Sequence, residues 1–265
     1  MKVVFQPVVD FHSAAVIGHK ALIRESIKIL EPAFDRLLAA AQARHREQQF
    51  ERGCLELAIR QWCHGKPKGL LFATMSANSL LQMHASEGID ALLKLLEKHQ
   101  LNPERMGLEI TGYSRIGDTK SLADCLRPLR TQGMVIALDD FKPSDSSMRV
   151  WGQLLPSMVK MAPRWTRHIE HNLDHQKIVR SLVRMTNKHN AMLVAKAVET
   201  EAEFRTLHQL GVGLGQGYFL GRPAPEFVRT LNVRASTAMR ARHAKREPMT
   251  FTTYPTALSH GAVHP

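Results

Sequence analysis

Eight polar side chains carry the chemical content of this sequence: Lys20, Glu109, Asp139, Asp140, Lys160, Lys196, Glu199 and Gln216. Each stands where a short apolar run gives way to polar residues, as in "MGLEIT", "MVIALDDF" and "AMLVAKAV". Carboxylates brought together from several such places suggest a divalent-metal site, because hard cations prefer oxygen ligands. Lys196 is the anomaly, since a bare ammonium at the end of a core strand is costly to bury.

The elements that would position these groups follow from the pattern. Eight β-rich runs are read as strands: "VVFQPVV", "VIGHKALIR", "GLLFATMS", "MGLEIT", "MVIALDDF", "SMVKMA", "AMLVAKAV" and "GQGYFLG". Helical periodicity separates most of them, as in "PAFDRLLAAAQARHREQQFERGCLELAIRQW" and "DHQKIVRSLVRMTNKH". This alternation predicts an α/β, TIM-like (β/α)8 barrel, and in such barrels chemistry sits at the C-terminal ends of the strands. Only "DFHSAA" separates the first two strands. So short a connection favours a hairpin over a crossover, and one strand should run antiparallel. The barrel is expected over residues 1–231, with 232–265 a basic tail made of a short helix and a flexible end.

Composition narrows the function classes. The 265 residues carry 36 Lys+Arg against 24 Asp+Glu, a net +12. From Leu231 onward, Arg234, Arg240, Arg242, Lys245 and Arg246 against Glu247 give +4; the remaining +8 is spread over the preceding residues. No concentrated basic patch marks a nucleic-acid site. Three cysteines, Cys54, Cys63 and Cys125, without CxxC spacing fit a reducing compartment. No apolar run approaches the roughly 18 residues of a membrane span, and the N-terminus has no signal-like region, so a cytoplasmic protein is expected.

Some patterns carry less. "GVGLGQG" leaves a helix and enters a strand, the reverse of the dinucleotide fingerprint. His168, His171 and His175 are spaced to share one helix face, a spacing that could bind a metal, and a solvated surface is the expected role. Cys63 beside His64 lacks a third partner and reads as a structural thiol.

Taken in order, "FQPVVD", "KALIR", "LEIT", "IALDDF", "VKMA", "AKAVET" and "GQGYFLGRP" resemble the EAL-domain cyclic di-GMP phosphodiesterases over about residues 3 to 230. Members of that family hold two Mg or Mn ions that activate water for attack on a phosphodiester. The resemblance places the family's metal-ligating Glu at Lys20 and the Asn of its N-x-S motif at Thr74, with Ser76 kept. Glu109, Asp139, Asp140, Lys160, Glu199 and Gln216 match the family. The Asp of K-x-D becomes Ala162, and the acidic residue of A-E-G becomes Lys196. The loop G-T-G-Y-S-S, which couples site and dimer in the family, is here "KPSDSS", Lys142 to Ser147. Nucleotide-facing positions that persist are Gln6, Pro7, Arg24 and Pro223, with Lys142 a further phosphate partner.

At the matched positions an intact site has one lysine against seven carboxylates, whereas here Lys20, Lys160 and Lys196 face Glu109, Asp139, Asp140 and Glu199. The expectation is that lysines replace the ions, that Mg or Mn binding is lost, and that there is no cofactor, bound metal or catalytic residue. The resemblance then implies a pseudoenzyme, a bacterial regulator of motility, adhesion or biofilm behaviour that binds another protein, such as a transcriptional regulator or signalling component. A metal-independent cyclic di-GMP receptor is the alternative, and residual hydrolysis the third reading. Neither nucleic acid nor membrane is an expected partner.

Overall fold

The structure, a computed structural model, describes residues 1–24, 33–231 and 233–243. Eight strands close into one barrel in chain order: β1 Lys2–Asp10, β2 Val16–Arg24, β3 Leu70–Ser76, β4 Met106–Thr111, β5 Val135–Phe141, β6 Met158–Met161, β7 Met192–Ala195 and β8 Leu214–Gly215. Strand β1 is antiparallel to both neighbours, and every other pair is parallel. The hairpin expected from "DFHSAA" is the cause. Asp10 accepts hydrogen bonds from the backbone N–H groups of His12 and Ser13, at 2.7 and 3.1 Å, and turns the chain back within five residues.

Helices return the chain outside the barrel: α1 Ala33–Ala43, α2 Glu47–Gly65, α3 Ala77–Glu87, α4 Asp90–Lys98, α5 Thr119–Thr131, α6 Asp145–Leu154, α7 Leu173–Lys188 and α8 Glu201–Gln209. Their starts were written locally. Ser76, Asp118, Ser144, Asn172 and Thr200 each accept a first-turn N–H, and Thr200 with Glu203 forms a full capping box. Outward strand residues such as Leu71, Met75, Leu108, Ile110 and Val159 pack beneath these helices in the main core. Inward residues Val8, Leu70, Phe72, Val135, Ala137, Met158, Val194 and Leu214 form a second cluster that plugs the lower half of the barrel.

The helical periodicity read between the second and third strands is carried by two helices, α1 and α2, separated where His45 adopts φ 54°. One sequence expectation needs correction. The eighth strand is Leu214–Gly215 and not "GQGYFLG". From Gln216 the chain turns across the barrel rim, and Gly217 lies so close to Val198 that a Cβ there would stand 2.2 Å from its backbone. The helix expected in the basic tail is α9, Val233–His243, which buries Ala235, Ala238 and Met239. The rest of that tail, 244–265, lies outside the described residues.

Candidate functional site

Side chains of a strand alternate between faces, so positions two apart share the barrel interior. One step above the apolar plug this rule delivers Gln6, Lys20, Thr74, Glu109, Asp139, Lys160 and, just past the strand ends, Lys196 and Gln216. Register brings them level: Gln6 faces Lys20 across β1 and β2, and Thr74 sits beside Glu109 across β3 and β4.

The charged groups form one continuous chain of pairs. Lys196 Nζ lies 2.7 Å from Asp140 Oδ1 and 2.6 Å from Asp139 Oδ1. Asp139 Oδ2 is 3.0 Å from Lys20 Nζ, which is 2.6 Å from Glu109 Oε2. Glu109 Oε1 accepts from Lys160, whose ammonium also donates to Gln216 Oε1 at 2.9 Å. Gln216 Nε2 donates to Gln6 Oε1 at 2.9 Å, and Gln6 Nε2 to the Gly221 carbonyl at 3.1 Å. Thr74 Oγ1 and the Asp140 N–H add bonds to Glu109 and Asp139 at 3.4 and 2.8 Å. All four oxygens of Glu109 and Asp139 are therefore occupied by donors of the chain itself.

Burial makes these pairs strong and mutually dependent. Glu109 and Lys160 are fully buried, Asp139 nearly so, and Lys20 and Lys196 largely. Burial alone would raise the Asp139 carboxyl, but Lys20 and Lys196 outweigh it and hold the group well below the usual carboxylate range. Glu109 is likewise lowered, burial being overcome by Lys160 and Lys20. Burial would lower Lys20, yet Asp139 and Glu109 push it well above the ordinary lysine value.

Not every expected residue joins this chain of pairs. Glu199 turns away: Ala197 adopts φ 56°, and the Glu199 carboxylate meets Arg167 at 3.5 Å on the exposed rim. The cluster is thus three lysines against Glu109, Asp139 and Asp140, with no net charge. Ala162 is buried where β6 ends and offers no ligand atom. Pro7 is buried beneath Gly221, and Pro223 is half-buried just beyond it. Arg24 lines a cavity of about 270 Å³ beside Lys20, Thr74, Cys54, Leu55 and Asp139. Lys142 is exposed after β5.

The three histidines do not share one helix. His168 precedes a short 3-10 turn with φ 52°, His171 ends it and His175 lies in α7. Among the described residues no group of three or more His, Cys, Asp or Glu side chains is arranged to hold a metal ion. The pattern also hid one carboxylate that shapes the site. Glu51 is buried on α2 and accepts from the Ser76 N–H and Oγ at 2.8 and 2.9 Å, fixing the end of β3 beside Thr74. Its signal was a glutamate in line with Leu55, Ala58 and Trp62 on an apolar helix face.

Comparison with known proteins agrees with this architecture. The bifunctional diguanylate cyclase/cyclic di-GMP phosphodiesterase MucR of Pseudomonas aeruginosa is 29% identical over 228 residues, which are 83% of this chain and 33% of that protein. The chain spans about a third of the length of the curated relatives it matches. Klebsiella pneumoniae BlrP1, solved as a calcium/cyclic di-GMP complex, superposes with TM-score 0.75 at 25% identity, covering 86% of this chain and 57% of that one. A standalone EAL protein of Vibrio cholerae in its c-di-GMP-bound form gives TM-score 0.76 at 22% identity, covering 89% and 97%. No described helix is long and apolar enough to cross a membrane. The family match itself runs over residues 1–223, from β1 through the Gln216 turn to Pro223, and on that span the chain belongs to the EAL domain family.

Proposed function

We propose that this chain is a non-hydrolytic member of the EAL family that regulates by binding another protein. The observation that carries the reading is the occupation of every oxygen of Glu109 and Asp139 by Lys20, Lys160, Lys196, Thr74 and the Asp140 N–H. A dication entering between these carboxylates would meet three ammonium groups within several Å and find neither a carboxylate at positions 20 and 196 nor a ligand atom at Ala162. The residues present do not fit the two-ion centre that the family implies. With these carboxylates neutralised internally, neither Glu109 nor Asp139 is free to hold a metal-bound water, and what the mouth retains is a chain of paired side chains.

A second reading is supported by one feature. The chain Gln6, Gln216 and the Gly221 carbonyl is intact, and Arg24 carries no ion pair among the described residues. Structural relatives carry cyclic di-GMP, and a guanidinium at this mouth suits a phosphate. On this reading the protein takes the dinucleotide without metal and presents it to a partner. Incubation of purified protein with cyclic di-GMP and Mn separates the readings. No linear product is expected; turnover comparable to an intact family member, lost in Asp139→Ala, would overturn both. Calorimetry without metal then decides between them, tight binding favouring the receptor.

A further inference from the structure

We infer that the cleft between α2 and the segment Pro225–Arg229 is a docking site for an acidic peptide segment that carries an aromatic or aliphatic anchor. The inference rests on the protein-binding reading above and names the surface and the partner's chemistry. The cleft measures about 730 Å³ and is lined by Phe5, Arg60, Gln61, His64, Phe227 and Arg229, with Glu226 its one carboxylate. It lies on the outer wall of the barrel, apart from the lysine cluster inside.

One wall is the last two turns of α2. The other is held in place by main-chain bonds between Phe5 and Ala224, at 2.7 and 3.1 Å, and by His19 Nε2 against the Val228 carbonyl at 2.8 Å. Between them the Phe227 ring rests on Phe5 with centroids 4.5 Å apart, and on Trp62 at 5.3 Å. Gly65 permits this closure, since a Cβ there would stand 2.2 Å from the Phe227 ring. The floor is therefore aromatic and fixed, suited to an apolar anchor.

The rim is cationic. Arg60 and Arg229 are exposed and carry no ion pair among the described residues, and the exposed His64 lines the cleft beside them. Lys66 and Lys68 follow at the exposed end of the helix. Some cations elsewhere on this surface are paired, as Arg52 is with Glu87, Lys98 with Glu56 and Arg205 with Glu201; what sets Arg60 and Arg229 apart is that both line one aromatic-floored cleft. Unpaired guanidinium groups around an aromatic floor complement carboxylates that flank an apolar side chain.

The test measures anisotropy of a fluorescein-labelled peptide in which glutamates flank a central phenylalanine. Wild-type protein is expected to bind it saturably. Arg60→Glu with Arg229→Glu should weaken binding about tenfold at an unchanged melting temperature, and Lys120→Glu with Arg180→Glu, equal in charge but remote, should change it less than about twofold. Equal losses in the two double variants, or no saturable binding, would overturn the inference. So would equal competition by single-stranded DNA of matched charge, which would make the rim a general polyanion surface. These outcomes leave the hydrolysis assay untouched, so failure of the cleft and failure of the protein-binding reading are distinguishable.

Discussion

The lower and upper layers of the barrel interior come from the same strands, two residues apart, yet they are held by different forces. Val8, Phe72, Ala137, Met158, Val194 and Leu214 below are succeeded by Gln6, Thr74, Asp139, Lys160, Lys196 and Gln216 above. The lower layer is stabilised by burial and dispersion, which are non-directional and tolerate exchange of similar volumes. The upper layer is stabilised by directed pairs, and each ammonium there is tolerated only because two acceptors surround it. Removing volume should therefore be the injury that the lower layer feels, and removing charge the injury above.

The largest effect should come from Lys160→Met, which keeps nearly all the volume and deletes the charge. Glu109 would lose a fully buried partner, and Gln216 a donor. The expected loss is about 3–5 kcal/mol in urea unfolding. A loss under about 1 kcal/mol would mean that Lys160 adds nothing by its charge, and the contrast between layers would fail. Next is Leu214→Ala below, which removes volume and no charge. Its cost should be about 2–4 kcal/mol, and unlike that of Lys160→Met it should be the same at acidic and neutral pH.

Lys196→Ala should cost less, about 1–2 kcal/mol, because this lysine is partly exposed and Asp140 reaches solvent. Acid provides the sharper readout. Asp139 is ionised more readily in the folded protein than in the unfolded chain, so its contribution is complete above the unfolded carboxylate value and is lost as pH falls below about 4. Lys196 is one cause of that lowering. Unfolding measured at neutral pH and near pH 3 should show a smaller acid-induced loss in Lys196→Ala than in wild type; equal losses would show that Lys196 does not set the state of Asp139.

The same contrast explains what the sequence disclosed. The first seven strands and the presence of one antiparallel strand were legible because alternation and a short hairpin are local signals. The convergence of Lys20, Glu109, Asp139, Lys160 and Lys196 was legible because strand-end position in a barrel nearly determines location. Glu199 was misassigned to that convergence since only two residues separate it from Lys196, and nothing local reveals that Ala197 takes a left-handed conformation and swings the chain outward. The eighth strand was misplaced for a related reason: "GQGYFLG" has strand-like composition, but its glycines serve close contacts with Val198 and Pro7 across the rim. Glu51 was hidden because its partner Ser76 comes from a different element.

Reversal of the upper layer asks the most of the comparison, although the metal-dependent gain that it reads is small. Combining Lys20→Glu, Thr74→Asn, Ala162→Asp and Lys196→Glu leaves one lysine among six carboxylates, a layer that self-repulsion destabilises unless cations enter. The variant should melt below wild type in chelator and regain stability with Mg or Mn, by about 1.4 kcal/mol at metal tenfold above its dissociation constant. Wild type should show no such gain, because its ammonium groups already supply the compensating charge. Hydrolysis need not return with the metal, since "KPSDSS" still follows the Asp pair and reaction depends on close positioning as well as charge. Leu214→Ala, by contrast, should be indifferent to metal. If wild type gains as much from Mg or Mn as the variant does, the lysines do not stand in for cations, and the upper layer owes its stability to something other than internal neutralisation.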